Sequence, residues 1–198
     1  MSTNFMYTDT DTDTASTAFD SGPQRQLWAD LGPAQDRRSY FGICDGIAAE
    51  IFRATSYERS AFRFRAPVHM LVVHEQGARY DGETFIEGST RSRVRDFTRK
   101  LTFVPAEHDY GEWQEPWTLA RLMYVYFDPA KLFFLSGANM GVTMAPKLFF
   151  EDARLFSTAL KLKRALESWT SEHPQYLKAL GVVLAHELIR FHRAASLS

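Results

Sequence analysis

The hydrophobic period of this chain changes once, from the period of β-strands to that of α-helices, and this change constrains the fold most. From about residue 48, apolar and polar residues alternate, as where Phe62 and Phe64 flank Arg63. A period of two is typical of strands, whose successive side chains point to opposite faces. After residue 150 the apolar residues recur every three or four positions, which is typical of helices. The sequence therefore predicts a β domain followed by a helical unit.

The β region contains several short strand-like segments bounded by turn residues. They include residues 69–74, 80–85, 101–103 and 119–127. The Asp81-Gly82 pair favours a type I′ hairpin turn, in which both central residues need a positive φ. Pro105 ends another strand because it cannot donate to a β-ladder. Many short strands without intervening helices predict a sandwich or barrel and argue against a parallel βαβ sheet.

The residues before these strands carry weaker signals. Residues 1–23 alternate Thr and Asp over part of their length and predict a polar tail. The alternative is an arm that closes over a ligand pocket. Its only apolar anchors would be Phe5, Tyr7 and Phe19. Residues 27–45 are ambiguous and suggest a short helical turn and a loop around Pro33.

Two apolar stripes define the helical unit. The first is formed by Leu155, Ala159, Leu162, Leu166 and Trp169, and the second by Leu177, Leu180, Leu184, Leu188 and Phe191. Pro174 lies where the first turn of the second helix is expected, a position that tolerates proline. The stripes predict an αα-hairpin whose helices pack on one another and on a partner. Gly181 inside the second stripe costs about 1 kcal/mol relative to alanine. A close helix–helix approach would explain it, and an uncompensated cost is the alternative.

Composition excludes several classes of protein. The 198 residues carry 23 basic and 24 acidic side chains, a balance unlike the strongly basic face of a dedicated nucleic-acid binder. Cys44 is the only cysteine, so the chain can form neither an intrachain disulfide nor a thiolate zinc cage. We find no signal peptide and no apolar run long enough to span a membrane, and we expect a cytoplasmic protein.

Catalytic and metal chemistry finds little support in the sequence. His69 and His74 are five residues apart and point to opposite faces of one strand. A helix beginning His186-Glu187 has Arg190 where a zinc protease needs its second histidine. Cys44 is more consistent with a small buried hydrophobe than with a nucleophile. We therefore expect no catalytic residue, no metal ligand and no cofactor.

A dense basic run follows the strand at residues 80–85. It contains Arg91, Arg93, Arg95, Arg99 and Lys100. Positive charge of this kind protects a sheet edge from pairing with other chains, which is our interpretation. An anionic ligand or partner is the alternative.

The segment 103–113 combines a strand, a proline turn and a mixture of polar and aromatic residues. In a small barrel, alternate positions of such a segment face the interior. Aromatic side chains with a few polar groups are what a small-molecule pocket needs. The alternative is that these aromatic side chains simply fill the core.

The run Leu101-Thr102-Phe103-Val104-Pro105-Ala106, its aromatic turn, and a strand ending Tyr124-Val125-Tyr126-Phe127-Asp128-Pro129 resemble the cupin-type N-terminal domain of AraC/XylS-family regulators. Residues 179–188 are similar to the helix that follows that barrel. The resemblance covers residues 50–195. It implies a jelly-roll barrel at residues 24–130 that binds a small-molecule effector. It also implies a helical hairpin at 131–198 that forms a homodimer through its second apolar stripe.

The resemblance also implies which residues bind the effector. By position they are Tyr110, Glu112 and Trp113 after the proline turn, with Arg65 on an early strand. The alternation of the later strand adds Tyr124. Enzymatic cupins carry a histidine where this chain has Tyr110, which weakens an enzyme assignment. The family's two helix-turn-helix units would begin near Ser198, so we expect DNA contact only through a domain outside this chain.

Three functions remain open at this stage. The leading hypothesis is a ligand-sensing and dimerising module of transcription control, without enzymatic activity. The second is a metal-dependent cupin enzyme, for which the sequence offers no convergent ligand set. The third is an interaction protein that heterodimerises with a full-length regulator through the helical hairpin.

Overall fold

A computed structural model of the protein describes residues 37–136, 144–168 and 174–196. Its strands are β1 (Arg37–Cys44), β2 (Ile47–Arg53), β3 (Ser60–Phe64), β4 (His69–Gln76), β5 (Arg79–Ile86), β6 (Leu101–Val104), β7 (Tyr110–Pro116), β8 (Arg121–Phe127) and β9 (Lys147–Phe150). Its helices are α1 (Pro129–Ser136), α2 (Ala153–Glu167) and α3 (Pro174–Ser196).

The strands form two antiparallel sheets whose order defines a jelly roll. Sheet A has six strands in the order β1-β2-β8-β4-β6-β9, and sheet B has three in the order β3-β7-β5. From β2 to β8, each successive strand lies in the other sheet. An isolated bridge between Thr84 and Ser92 extends sheet B beyond β5. Two sheets linked in this way form the jelly roll found in cupins, as predicted.

Each face of sheet A covers a different apolar core. One face meets sheet B and encloses the barrel interior, where the buried side chains include Phe64, Met70, Ile86 and Leu122. The opposite face carries Leu71, Phe103, Met123 and Phe127 and packs against the helices. Strand alternation produces this division, because neighbouring residues of β4 and β8 point to opposite sides of the sheet.

The apolar stripes of α2 and α3 are buried within the chain. Leu184 and Leu188 of α3 are 0% exposed and belong to the core beneath sheet A. Leu177 and Leu180 are also buried there, and Phe191 stacks on Phe150 of β9 with ring centroids 4.4 Å apart. The helical hairpin is therefore confirmed. The second stripe is covered by its own chain, so the predicted homodimer stays a prediction and would need another surface. A stripe gives the period of a helix and does not say which surface covers it.

Gly181 sits where α3 comes closest to the sheet. A Cβ atom at this position would lie 2.9 Å from Cγ2 of Ile43 on β1. Such a distance is shorter than a normal contact, so a side chain would push helix and strand apart. The close approach at Gly181 joins a helix to a strand and not two helices, as had been expected.

Three local predictions need correction. Asp81-Gly82 makes no hairpin turn; both residues lie within β5, and the register with β7 shifts between Arg79 and Asp81. Residues 37–44, read as loop, form β1, which pairs along its length with β2. The segment 131–198 is not purely helical, because β9 returns to sheet A beside β6.

The predicted tail at residues 1–23, with its candidate arm anchors, and Trp169 lie outside the described residues. Among the helices that are described, none is long and apolar enough to cross a membrane.

Candidate functional site

The barrel interior carries polar side chains among its apolar ones. From sheet A, Glu50 of β2 and Tyr124 of β8 face inward as register partners. From sheet B, Glu112 of β7 faces inward between its partners Phe62 of β3 and Thr84 of β5. Strand pairing aligns these side chains within each sheet, and the contact between the rings of Phe62 and Tyr124, 6.2 Å between centroids, joins the two sheets at this level. Two carboxylates therefore lie beside aromatic rings and a hydroxyl group in the barrel interior.

Tyr110 and Glu112 form the central polar contact of sheet B. The Tyr110 hydroxyl donates a 2.8 Å hydrogen bond to Oε2 of Glu112. Tyr110 is 2% exposed, and burial together with the nearby Glu112 carboxylate raises its pKa well above the ordinary value. Burial also raises the pKa of Glu112, although the hydrogen bond from Tyr110 and the charge of Arg79 oppose that shift. Glu112 as a whole residue is partly exposed, whereas its carboxyl group is desolvated.

A second carboxylate faces the interior from sheet A. Glu50 is 4% exposed, and its Oε2 accepts a 3.2 Å hydrogen bond from the hydroxyl of Tyr126. Tyr126 stacks parallel to Tyr124, with ring centroids 6.5 Å apart and an interplanar angle of 6°. Each inward carboxylate is thus held by a tyrosine hydroxyl.

Aromatic rings surround this polar level. Phe62 meets Tyr110 edge to face at 5.7 Å between centroids, and it lies 6.2 Å from the ring of Tyr124. Tyr124 in turn meets the edge of Phe52 at 6.5 Å. Such separations are within the range of favourable aromatic pairs. The rings line the interior from both sheets.

Arg79 is a buried cation whose hydrogen bonds go to neutral groups. The residue is 1% exposed. Its guanidinium donates to Oγ1 of Thr84 at 2.9 Å and to the carbonyl oxygens of Ser92 and Val94 at 3.1 and 2.8 Å. These bonds fasten the segment after β5 to the barrel. Because Arg79 forms no ion pair with a carboxylate of the described residues, the negative charge of Glu112 has no direct counterpart there.

The structure brings together three of the five predicted ligand-binding residues. Tyr110, Glu112 and Tyr124 all face the interior. Arg65 does not; it is exposed and forms ion pairs with Glu107 and Asp109 at 3.9 and 3.4 Å. Its neighbour Phe64 takes the inward position of β3.

Trp113 also lies outside the predicted pocket. It follows Glu112 on β7 and therefore points to the opposite face of sheet B. There the guanidinium of Arg59 lies 4.7 Å from the centroid of its ring. Two adjacent strand residues cannot both face one interior, so the predicted position of Trp113 was wrong.

Sequence reasoning missed Glu50, Tyr126, Phe62 and Arg79. Glu50 interrupts the apolar part of β2 that precedes Arg53, and a lone carboxylate in such a run is the signal that could have found it. Tyr126 lies two residues beyond Tyr124 and so shares its face. Arg79 gave no signal, because its burial depends on the fold of the segment after β5.

Two hollows open at the end of the barrel where β2 and β7 finish. One, of about 720 Å³, is lined by Tyr57, Arg59, Tyr80, Glu115, Pro116 and Trp117. The other, of about 420 Å³, shares Tyr57 and includes Gln76, Ala120 and Arg121. Tyr80 stacks on Trp117 with centroids 5.7 Å apart. Both volumes lie in the range typical of ligand pockets.

The inward-facing residues do not fit a metal centre. Within residues 37–136, 144–168 and 174–196, no three His, Cys, Asp or Glu side chains converge closely enough to hold an ion. His69, His74 and His192 are instead buried beside aromatic rings. Burial lowers their pKa values to about 4, 3 and 4, respectively.

The sequence matches no protein-family model, and no curated protein matches it significantly. Solved structures similar to this chain are cupins. The cupin domain of Cnp3 from Schizosaccharomyces pombe is 16% identical, covers 57% of this chain and 79% of its own, and gives a TM-score of 0.40. A candidate mannose-6-phosphate isomerase from Ralstonia eutropha JMP134 is 18% identical, covers 52% of this chain and 94% of its own, and gives a TM-score of 0.39. A cupin superfamily protein from Desulfitobacterium hafniense DCB-2 is 9% identical, covers 48% of this chain and 78% of its own, and gives a TM-score of 0.37.

These likenesses cover about half of the chain. The strand order of the two sheets defines a cupin-like jelly-roll barrel followed by helices.

Proposed function

We propose that this protein binds a small organic effector inside its barrel and acts as the sensing module of a transcription regulator of the AraC type. The observation that carries the proposal is the Tyr110–Glu112 pair, a desolvated carboxyl group held by a tyrosine hydroxyl among inward-facing aromatic rings. Pockets that recognise small molecules combine mostly apolar walls with a few fixed polar groups. An interior that serves packing alone would avoid carboxylates, because burying them is costly.

Sensing requires that the effector change an equilibrium of the protein. A ligand shifts two states only by its difference in affinity for them. We propose that the affected equilibrium is homodimerisation, as the family resemblance implies. The interface would lie on surfaces other than the leucine stripe of α3, which is already buried.

A thermal-shift screen of the full chain against small metabolites and divalent metals tests the binding step. A true effector raises Tm because it binds the folded state. At a hundredfold excess over its Kd, it increases the free energy of unfolding by about 2.7 kcal/mol. We expect at least one metabolite to raise Tm even when a metal chelator is present. Tyr110→Phe should weaken that effect, whereas Tyr80→Phe, which alters an exposed tyrosine at the barrel end, should leave it unchanged.

Sedimentation of the protein with and without this metabolite tests the sensing step. We expect its average mass to change. A mass that stays constant would indicate a binding protein without a dimerisation switch. Stabilisation that requires a metal would instead support the hypothesis of a cupin enzyme. If no compound of the screen changes Tm, ligand binding is contradicted.

A further inference from the structure

Three exposed aromatic side chains gather at the end of the barrel. Tyr57, Tyr80 and Trp117 are 62, 62 and 60% exposed, and all three line the hollow of about 720 Å³. They are three of the six large apolar side chains that are exposed within the described parts of the chain. Clustered apolar side chains at the surface mark an interaction site. Tyrosine and tryptophan are also among the residues that contribute most to binding at protein interfaces.

The backbone fixes two of these rings against one another. The N–H groups of Trp117 and Thr118 donate to the carbonyl oxygen of Ala78 at 2.8 and 3.1 Å, and the Thr118 hydroxyl accepts from the N–H of Ala78 at 2.8 Å. Ala78 lies two residues before Tyr80, so these bonds hold the Tyr80–Trp117 stack, whose rings are inclined by 24°. Each ring keeps its other face for a partner. A preformed site of this kind costs less entropy to occupy.

The two hollows at the barrel end form one groove. Tyr57 lines both of them. Residues 115–117 line the first and residues 118–121 line the second, so one continuous segment runs along both. Small-molecule pockets bury most of their ligand. A groove whose rings stay this exposed suits an extended chain better than a small compact molecule.

Among extended chains, the groove suits a polyproline II segment. A bound β-strand needs free backbone groups to pair with, and the N–H groups of Trp117 and Thr118 are already bonded to Ala78. A polyproline II segment does not need such a ladder, and its proline rings dock against exposed aromatic side chains. Its conformation exists before binding, so little chain has to be ordered.

The charged residues of the groove favour an acidic partner. The lining contains three arginines, Arg53, Arg59 and Arg121, and one glutamate, Glu115. Arg53 forms an ion pair with Glu167, and Arg59 lies 4.0 Å from Glu115. Arg121 has no ion pair within the parts of the chain that the structure describes. A carboxylate of the partner would supply the missing negative charge.

We infer that the groove at the barrel end binds a proline-rich segment of a partner protein, in the polyproline II conformation and with an acidic residue beside its prolines. The prolines would lie on the rings of Tyr57, Tyr80 and Trp117, and the acidic residue would pair with Arg121. The inference is independent of the proposed function, because it uses no side chain of the barrel interior.

The test measures the binding of three synthetic peptides to the full chain by calorimetry. The first has two aspartates followed by eight prolines, the second has lysines in place of the aspartates, and the third has Gly-Ser repeats in place of the prolines. The acidic proline peptide should bind about tenfold or more tighter than the Gly-Ser peptide, because its backbone is already extended. Its advantage over the lysine peptide should be roughly two- to fivefold, as for exposed ion pairs.

The variants identify the groove as the binding site. Trp117→Ala and Tyr80→Ala each remove one exposed ring and should weaken binding of the acidic proline peptide by about tenfold or more. Tyr176→Ala removes an exposed ring from α3 and is the matched control, in which affinity should not change. Arg121→Gln should abolish the preference for the acidic over the lysine peptide. The Tm of each variant shows whether it folds, and two ring variants keep the test decisive if one of them does not.

Three results would overturn the inference. They are no binding of the acidic proline peptide at millimolar concentration, equal binding of the Gly-Ser peptide, and unchanged affinity in the folded ring variants. Tighter binding of the lysine peptide would overturn the acidic character of the partner. None of these results changes the outcome of the metabolite screen, so the proposed function stands or fails separately.

Discussion

The Tyr110 hydroxyl donates a 2.8 Å hydrogen bond to the carboxylate of Glu112, two residues further along β7. Both side chains face the barrel interior, so the bond runs along the inner surface of sheet B. It fixes the carboxylate among the aromatic rings and leaves it without a cationic partner from the described residues. The following predictions test this arrangement and the packing that supports it.

Replacing Glu112 by glutamine should stabilise the protein increasingly as pH rises. Burial raises the pKa of Glu112 in the folded state, whereas the unfolded state keeps a value of about 4.3. The wild type therefore loses stability relative to Glu112→Gln as pH increases through the raised pKa. The two proteins should converge at acidic pH, below about 4. Urea denaturation at pH 4, 6 and 8 measures the difference, and a difference independent of pH would contradict the prediction.

The buried histidines should make the fold sensitive to acid. His69, His74 and His192 have folded-state pKa values of about 4, 3 and 4, below the unfolded value of about 6.5. The unfolded state therefore binds more protons, and stability should fall as pH decreases from about 6.5 to 4. Each histidine contributes a slope of up to about 1.4 kcal/mol per pH unit.

His74→Leu isolates one of these contributions. The imidazole of His74 is 2% exposed, and its Nδ1 atom has no hydrogen-bond partner among the residues that the structure describes. A leucine of similar volume should keep stability at pH 8 within about 1.5 kcal/mol of the wild type. The loss of stability below pH 6.5 should become shallower. An unchanged acid slope would show that His74 is not among the titrating groups.

Leu184→Ala should destabilise the monomer itself. Leu184 is 0% exposed in the core between α3 and sheet A, and such truncations cost about 2–5 kcal/mol. The loss should be the same at low and high protein concentration in urea denaturation, because the residue is covered by its own chain. Val183→Ala, on an exposed side of the same helix, is the matched control. A loss that depends on concentration would restore the dimer-interface hypothesis.

Gly82→Ala should strain β5. Gly82 has φ +153°, and an added Cβ would lie 2.4 Å from the carbonyl oxygen of Trp113 and 2.8 Å from Cδ of Arg79. We expect a loss of about 1–3 kcal/mol. Gly42→Ala, where no atom lies within 4 Å of the added Cβ, should change stability little. Thermal unfolding of both variants measures the contrast, and equal Tm values would contradict it.

Periodicity was sufficient to predict strands β4, β5, β6 and β8, the helices α2 and α3 and the inward position of Tyr124, but it missed β1 and β9. The resemblance, and not periodicity, suggested Tyr110 and Glu112. The same alternation argues against Arg65, because Phe64 takes the inward position beside it. Family position alone had suggested Arg65 and Trp113. The sequence could not show which surface covers the apolar stripe of α3, since an apolar face packs equally well on its own sheet or on a second protein. The burial of Arg79 was not predictable either, since it depends on carbonyl oxygens supplied by Ser92 and Val94.

The central claim is that a ligand occupies the barrel interior, and NMR of side-chain-labelled tyrosine tests it most directly. The chain has eight tyrosines. Tyr110, Tyr124 and Tyr126 are buried in the barrel, whereas Tyr57, Tyr80 and Tyr176 are exposed. Titration with the metabolite from the thermal screen should shift the three interior signals and leave the exposed ones in place. Shifts confined to Tyr57 and Tyr80 would place the ligand at the end of the barrel and contradict the account.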